Sequence, residues 1–383
     1  MSTPAYITDM AVFLPNAPVD NETIEQVLGK VGGRPSRARA LILSRNGIQT
    51  RYYAIDPASG GYTHNNARMT AEAVRTVLHR GGMAAAQIDC LCCGTSSPDQ
   101  IKPAHAHMVH GELAGPPCEV VSTAGVCTAG VMGLKYAWLS VTAGLARNAV
   151  STGSEFASSF MHAGNFELET ADKIAALGKQ PALAFEKDFL RWMLSDGAGA
   201  ALIRPAPNRD RPSLRIDWID CLSFAGDLPV CMYSGAARDE DGRLRGWREA
   251  SPDAVLAQGY FAVKQDVRLL DRHVVEVAVE RALLPIAARR GLVADDVHWF
   301  LPHYSSEYFR PRLHEALARG GFPIPHERWF TNLSRKGNVG SAAIYLMLEE
   351  LMYSGRLTPG DRLLCLVPES ARFSVCVMHL TVV

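Results

Sequence analysis

Val120-Val121-Ser122-Thr123-Ala124-Gly125-Val126-Cys127-Thr128-Ala129-Gly130 carries an apolar, β-branched strand through small residues into a helical pattern. A strand that ends on a helix N-terminus is the repeating unit of an α/β fold, and its junctions gather reactive groups at the carboxyl end of the sheet. Cys127 sits at this junction. The unpaired N–H groups and the positive end of the helix dipole favour thiolate there, which predicts a lowered thiol pKa and a nucleophile at neutral pH. The competing reading is a core thiol, because cysteine is among the most buried residue types.

The chain has nine cysteines. Cys90 and Cys93 form one CxxC, but it lies within a strand-like run and no second pair accompanies it as a zinc site would require. Cys118, Cys221, Cys231, Cys365 and Cys376 are scattered singly, and all but Cys127 read as core or incidental thiols. His105, His107 and His110 do not converge on one helix face, so no metal site is expected there. A cysteine nucleophile needs partners that are close in space and remote in sequence. His303 ends the strand-like run His298-Trp299-Phe300-Leu301-Pro302-His303, and Asn338 lies in a turn before the helical pattern at Ile344, Leu346, Leu348 and Leu351. Read alone, Asn338 is an N-cap and His303 a satisfied histidine.

Taken together and in order, the segments resemble the thiolase-superfamily condensing enzymes, most closely β-ketoacyl-acyl-carrier-protein synthase III and its divergent secondary-metabolism relatives. Ser44-Arg45-Asn46-Gly47-Ile48-Gln49-Thr50-Arg51 is similar to the family's Arg-Thr-Gly-Ile-x-x-Arg segment, and Ser195-Asp196-Gly197-Ala198-Gly199-Ala200 to its Gly-Asp-Gly-Ala-Gly-Ala turn. Leu301-Pro302-His303 matches its Val-Pro-His strand, and Gly337-Asn338-Val339-Gly340-Ser341-Ala342-Ala343 its Gly-Asn-Thr-Ser-Ala-Ala segment with one extra residue. The resemblance implies a five-layered αβαβα sandwich of two similar halves. It makes Cys127 the acyl-accepting nucleophile, with His303 and Asn338 stabilising the enolate of a second thioester and backbone N–H groups near Cys127 and the Ser370 to Arg372 turn holding the tetrahedral oxyanion. Arg45 and the loop residues Ala371 and Arg372 would contact substrate or carrier. The implied substrates are acyl-carrier-protein or coenzyme A thioesters, with no metal or redox cofactor, in a homodimer.

Departures from the pattern bear on which reaction is run. The family's adenine-stacking tryptophan falls at Leu41 and its carrier-contacting arginine at Tyr308, while Lys102 stands where an aromatic residue caps the partner subunit's acyl pocket. The glycine-rich loop near the family's C-terminus reads Val367-Pro368-Glu369-Ser370-Ala371-Arg372-Phe373. Glu369 is expected either to act as an additional acid or base for a second step such as cyclisation, or to form an ion pair with Arg372. Glu155 is a weaker acid–base candidate beside a structural role. This loop and the insert from Thr170 to Trp192 are similar to the ketosynthase/cyclases that make dialkylresorcinol and stilbene precursors. Transfer of the acyl group to oxygen or nitrogen and a non-catalytic subunit of a heterodimer are the alternatives.

Composition agrees. Lys plus Arg equals Asp plus Glu at 39 each in 383 residues, so no global basic field points to nucleic acid, and no apolar run is long enough to span a bilayer. Absence of a cleavable leader pattern and cysteines without a framework predict a cytoplasmic protein. Strands are expected at Ala5–Leu14, Ile88–Gly94, Cys118–Ser122, Arg147–Gly153, Gly199–Ile203, Leu214–Ser223, His298–His303, Arg362–Val367 and Ser374–Val382. Helices are expected at Glu22–Gly29, Met69–Arg80, Cys127–Ala143, Asp266–Arg290, Tyr308–Arg319 and Ser341–Tyr353. The charged, proline-bearing stretch Pro205–Pro212 separates an N-terminal half, 1–205, carrying the cysteine from a C-terminal half, 213–383, carrying the histidine and asparagine. A local basic patch for an acidic carrier is expected around Arg45, Lys264, Arg268 and Arg310.

Overall fold

A computed structural model describes residues 3–36, 38–165, 189–239 and 241–383. Nine strands form the central sheet: β1 (Tyr6–Phe13), β2 (Cys90–Thr95), β3 (Glu119–Ala124), β4 (Ala149–Glu155), β5 (Gly197–Arg204), β6 (Leu214–Ser223), β7 (Trp299–Pro302), β8 (Arg362–Pro368) and β9 (Ser374–Val382). Their spatial order is β7-β8-β9-β6-β1-β5-β4-β2-β3. The first five strands in sequence occupy one side of this order and the last four the other. Within the sheet the two groups pair through Tyr6↔Arg215 and Ile7↔Leu214, beside an Ile216 N–H bond to the Ala5 carbonyl at 3.0 Å.

The two halves repeat one plan. In the first, β3 lies parallel to β2 at the outer edge; in the second, a parallel bridge between Trp329 and Phe300 marks the corresponding place beside β7. Strands β2 and β4 are buried at every position, as expected of parallel strands with helices on both faces. Helices α1 (Arg39–Asn46), α2 (Asn66–Arg80), α3 (His105–Leu113), α4 (Ala129–Thr142), α5 (Val267–Glu276), α6 (Leu284–Arg290), α7 (Phe309–Arg319) and α8 (Ala343–Met352) complete the αβαβα sandwich. α2 begins at an Asn65 cap that accepts the Arg68 N–H at 2.9 Å.

The central layer is α4 against α8, and it sets the site. A Cβ on Gly130 would lie 2.3 Å from the Ser341 carbonyl oxygen, and one on Gly153 would lie 2.2 Å from it. Only hydrogen fits at either position, so the start of α4, the end of β4 and the turn into α8 are in backbone contact. Tyr345 fastens the layer by bonding Ser151 Oγ at 2.7 Å and donating to the Gly130 carbonyl at 2.9 Å.

Three elements differ from the sequence reading. The helix expected over Glu22–Gly29 is confined to Ile24–Val27. The single helix expected over Asp266–Arg290 is α5 and α6 separated by a π-helical turn, Val277–Leu283. Pro285 lies at the start of α6, where its missing N–H is tolerated because the α-helical ladder is already interrupted. Between β6 and α5, residues Ala236–Arg238 pair with Leu244–Gly246, and Lys264–Gln265 with Met232–Tyr233, in a stretch for which no element was expected. Of the insert at 170–192, residues 170–188 lie outside the described residues.

Candidate active site

Strand β3 delivers the chain to Gly125, whose φ of 154° starts the turn through Val126, Cys127 and Thr128 into α4. Cys127 is 8% exposed, so one face of its side chain reaches the cavity and the rest is packed. The thiol pKa expected from the sequence has the wrong sign. Burial pushes it well above its ordinary value, and the neighbouring Glu369 and Glu155 push it further. α4 starts only at Ala129, and the first donors of its turn, the Val126 N–H and the Thr128 hydroxyl, are given to Glu369 rather than to sulfur.

His303 follows β7 and is held by its backbone N–H bonding the Leu366 carbonyl at 2.8 Å. Burial lowers its pKa to about 4, so the imidazole is neutral at physiological pH and has one N–H to donate and one nitrogen to accept. Asn338 is pinned on both sides of its backbone, with its N–H on the Met193 carbonyl and its carbonyl on the Ser195 N–H, each at 2.9 Å. Its Oδ1 accepts the Gly340 N–H at 2.9 Å, which leaves the amide NH2 as a donor to the cavity. This is a tertiary clamp rather than the helix cap it resembles in sequence.

Two carboxylates flank the nucleophile turn. Glu369 Oε2 accepts from Val126 N–H at 3.2 Å and Thr128 Oγ1 at 2.6 Å, the residues on either side of Cys127. Arg372 is exposed and makes no ion pair with it among the described residues, which removes the ion-pair reading of this loop. Glu155 accepts from Ser96 Oγ at 2.6 Å, Ser97 Oγ at 2.8 Å and the Ser341 N–H at 3.1 Å. Its pKa is nevertheless raised, because complete burial outweighs these donors. Glu155 thereby ties β4 to the turn that carries Asn338.

Cys127, His303, Asn338, Glu155, Glu369 and Ala371 all line one cavity of about 390 Å³. Beside the polar cluster the cavity is lined by apolar side chains, among them Phe160, Leu190, Met193, Leu270, Val274 and Phe309. Sequence reasoning missed these wall residues, since apolar side chains at helical spacing on α5 read as ordinary core. The cavity is within the size of small-molecule sites and can hold an acyl chain against a nucleophile, two neutral hydrogen-bonding side chains and backbone donors.

The remaining site residues expected from the sequence do not join this cluster. Arg45, at the end of α1, is exposed and does not line the cavity; neither does Arg372, and Lys102, expected against the partner subunit's pocket, is exposed in the loop before α3. Leu41 and Tyr308 are exposed. Lys264 Nζ is engaged by the Ala236 and Gly259 carbonyls at 3.2 and 2.9 Å, and Arg310 faces Glu307 at 3.7 Å, which weakens the expected basic patch.

Residues 287–367 match the family described as 3-oxoacyl-[acyl-carrier-protein] synthase III C terminal. The β-ketoacyl-[acyl-carrier-protein] synthase III of Roseiflexus sp. (strain RS-1) is 26% identical over 368 residues, 94% of this chain and 93% of the relative. That of Deinococcus deserti is 28% identical over 360 residues, 94% of this chain and 86% of the relative. Among solved structures, the tetronic acid condensing enzyme AbyA1 superposes with a TM-score of 0.73 at 20% identity, covering 99% of this chain and 100% of its own. OleA of Xanthomonas campestris, solved with lauric acid and lauroyl-CoA bound, gives 0.74 at 18% identity with 100% of both chains covered.

Proposed function

We propose that the chain is a synthase III-like condensing enzyme of the thiolase superfamily, and from this premise the course of its reaction follows. Cys127 accepts an acyl group from a thioester, which divides one hard step into two. A second acyl or β-ketoacyl thioester then enters, and its carbonyl oxygen accepts hydrogen bonds from His303 and the Asn338 amide as decarboxylation or deprotonation makes it an enolate. The enolate carbon attacks the acyl-cysteine in a Claisen condensation and releases the thiol. Backbone N–H groups near Cys127 and Ser370 would hold the tetrahedral oxygen. These steps call for no metal or redox group.

The observation that carries this reading is the convergence of Cys127, His303 and Asn338 on a single cavity with an apolar wall. A long or aryl acyl group fits that wall better than an acetyl starter. We read the thioester carrier as an acyl-carrier protein or coenzyme A, the nine cysteines, none of them in a disulfide, as those of a cytoplasmic protein, and the assembly as a homodimer. Ring closure after condensation, giving a dialkylresorcinol or stilbene precursor, is the finer reading and draws on the acidic loop at Glu369.

Incubation with acyl and β-ketoacyl thioesters, followed by intact-mass and product analysis, tests the proposal. An acyl adduct on Cys127 and a carbon-linked diketide or ring support it. An ester or amide product would replace condensation with transfer to a heteroatom, and no adduct on Cys127 would remove the acyl-enzyme altogether.

A further inference from the structure

We propose that Glu369 is the base that takes the Cys127 thiol proton as the acyl group is loaded. The inference rests on the acyl-cysteine reading above and adds to it the question of how a thiol in this setting becomes a nucleophile. Two donors of the turn that could stabilise a thiolate are occupied, since Val126 N–H and Thr128 Oγ1 both bond Glu369 Oε2, and the backbone N–H of Cys127 itself does not offset burial of the sulfur. Those two bonds fix the carboxylate over the turn, one on each side of Cys127. A Cβ placed on Gly125 would lie only 3.4 Å from the same oxygen. Glu369 is 8% exposed, and the exposed part lines the reaction cavity.

The second oxygen, Oε1, receives no hydrogen bond from a described residue, so it is available to accept a proton from the cavity side. No guanidinium neutralises the group, since Arg372 turns outward. The titratable groups around it are Cys127, Glu155 across the turn, Cys376 on β9 and His303 on the facing wall. Glu155 is held by three serine donors of its own and is committed to the Asn338 turn.

In the loading step, the Cys127 S–H proton passes to the Glu369 carboxylate while sulfur forms a bond to the thioester carbonyl carbon. Collapse of the tetrahedral intermediate breaks the bond from that carbon to the carrier sulfur. The carrier thiolate recovers the proton from the Glu369 carboxylic acid and leaves as a thiol. Glu369 is again a carboxylate, Cys127 is acylated, and no net proton or electron is consumed.

Single-turnover loading of the full chain with octanoyl-N-acetylcysteamine, read by intact mass across a pH series, tests this. Glu369→Gln keeps the shape and an oxygen acceptor for Val126 and Thr128 but cannot take a proton. Its loading at neutral pH should fall by about 10²-fold and then climb in proportion to hydroxide, as the thiol ionises unaided. The wild type should show a much flatter profile. Loading of Glu369→Gln as fast as wild type with the same profile would overturn the assignment. Should that variant fail to fold, Glu369→Asp decides: a flat profile supports the base, and a hydroxide-proportional one overturns it. If the wild type itself never forms the adduct, it is the acyl-cysteine reading that falls, not this step alone.

Discussion

At the scale of single residues, the proposed reaction assigns His303 and Asn338 to the second substrate and Cys127 to the first, so their loss should separate the two half-reactions. His303→Ala or Asn338→Ala should still form the acyl adduct, while condensation falls by about 10²–10³-fold, the effect of removing one preorganised donor, about 2.7–4 kcal/mol. Intact mass and product yield on the same sample check this, and loss of loading in both variants would refute the division of labour. Burial also fixes a pH response. His105 and His303 both have folded pKa values near 4 against 6.5 in an unfolded chain. Between these values the unfolded state binds more protons, so stability is present above pH 6.5 and is lost as pH falls toward 4, by about 3 kcal/mol for each fully buried imidazole. Asp196 has the opposite sign, since burial raises it to about 7 and its contribution is lost as pH rises through that value. His105 lies away from the cavity, bonding Ser154 Oγ at 3.1 Å, so His105→Gln isolates one imidazole. Its urea midpoint should drop less than that of wild type between pH 7 and pH 4.5, and an equal drop would show that the histidine is not the cause. The convergence of Cys127, His303 and Asn338 on one cavity was legible because each sits in its own ordered motif. The sign of the thiol shift was not, because burial of the sulfur sets it, and Glu369, which adds to it, is 242 residues away. Sequence adjacency favoured Arg372 as its partner, but Phe373 adopts a φ of 56° and the turn sends Arg372 to solvent.

At the scale of elements, the strands were readable to within two residues: β6 and β9 were expected at their observed bounds, β6 from its alternation of apolar and polar residues and β9 from its run of apolar and β-branched ones. The π turn after α5 was not, since its register shift leaves the apolar pattern intact and only backbone hydrogen bonding distinguishes it. Nor was the contact that matters most to the site. Gly130 and Gly153 look like ordinary small residues in sequence, and only the three-dimensional crossing of α4, β4 and the turn into α8 shows that each abuts the Ser341 backbone. That contact predicts a particular defect. Gly153→Ala forces a methyl into backbone that cannot swing aside, at about 1–3 kcal/mol of stability. The displaced Ser341 turn carries Asn338 three residues earlier, so condensation should fall further than loading. Urea denaturation and the two half-reaction assays check this, and an unchanged ratio of the two rates would mean that the turn does not transmit the shift.

At the scale of the whole molecule, the sheet ends asymmetrically. Its second-half edge, β7, is bridged by Trp329, whereas its first-half edge, β3, is intermediate or exposed at every position and among the described residues pairs only with β2. An open strand edge of six residues invites pairing with another chain unless something covers it. Beside it, α4 exposes Met132, Tyr136 and Leu139 at spacings of four and three, one stripe of a helix whose other face is buried in the central layer. A second copy of this chain, related by a two-fold axis, would pair the two β3 edges and bury both stripes at once. The Cys127 turn begins at the end of that strand, so such an interface would be mechanically coupled to the site. Leu139→Glu places a charge in the stripe without touching the cavity. Sedimentation should show the wild type as a dimer and Leu139→Glu shifted toward monomer, with condensation lost in step with dimer. A wild type that sediments as a monomer would refute the pairing, and a monomeric variant with full condensation would show that each site is complete within one chain.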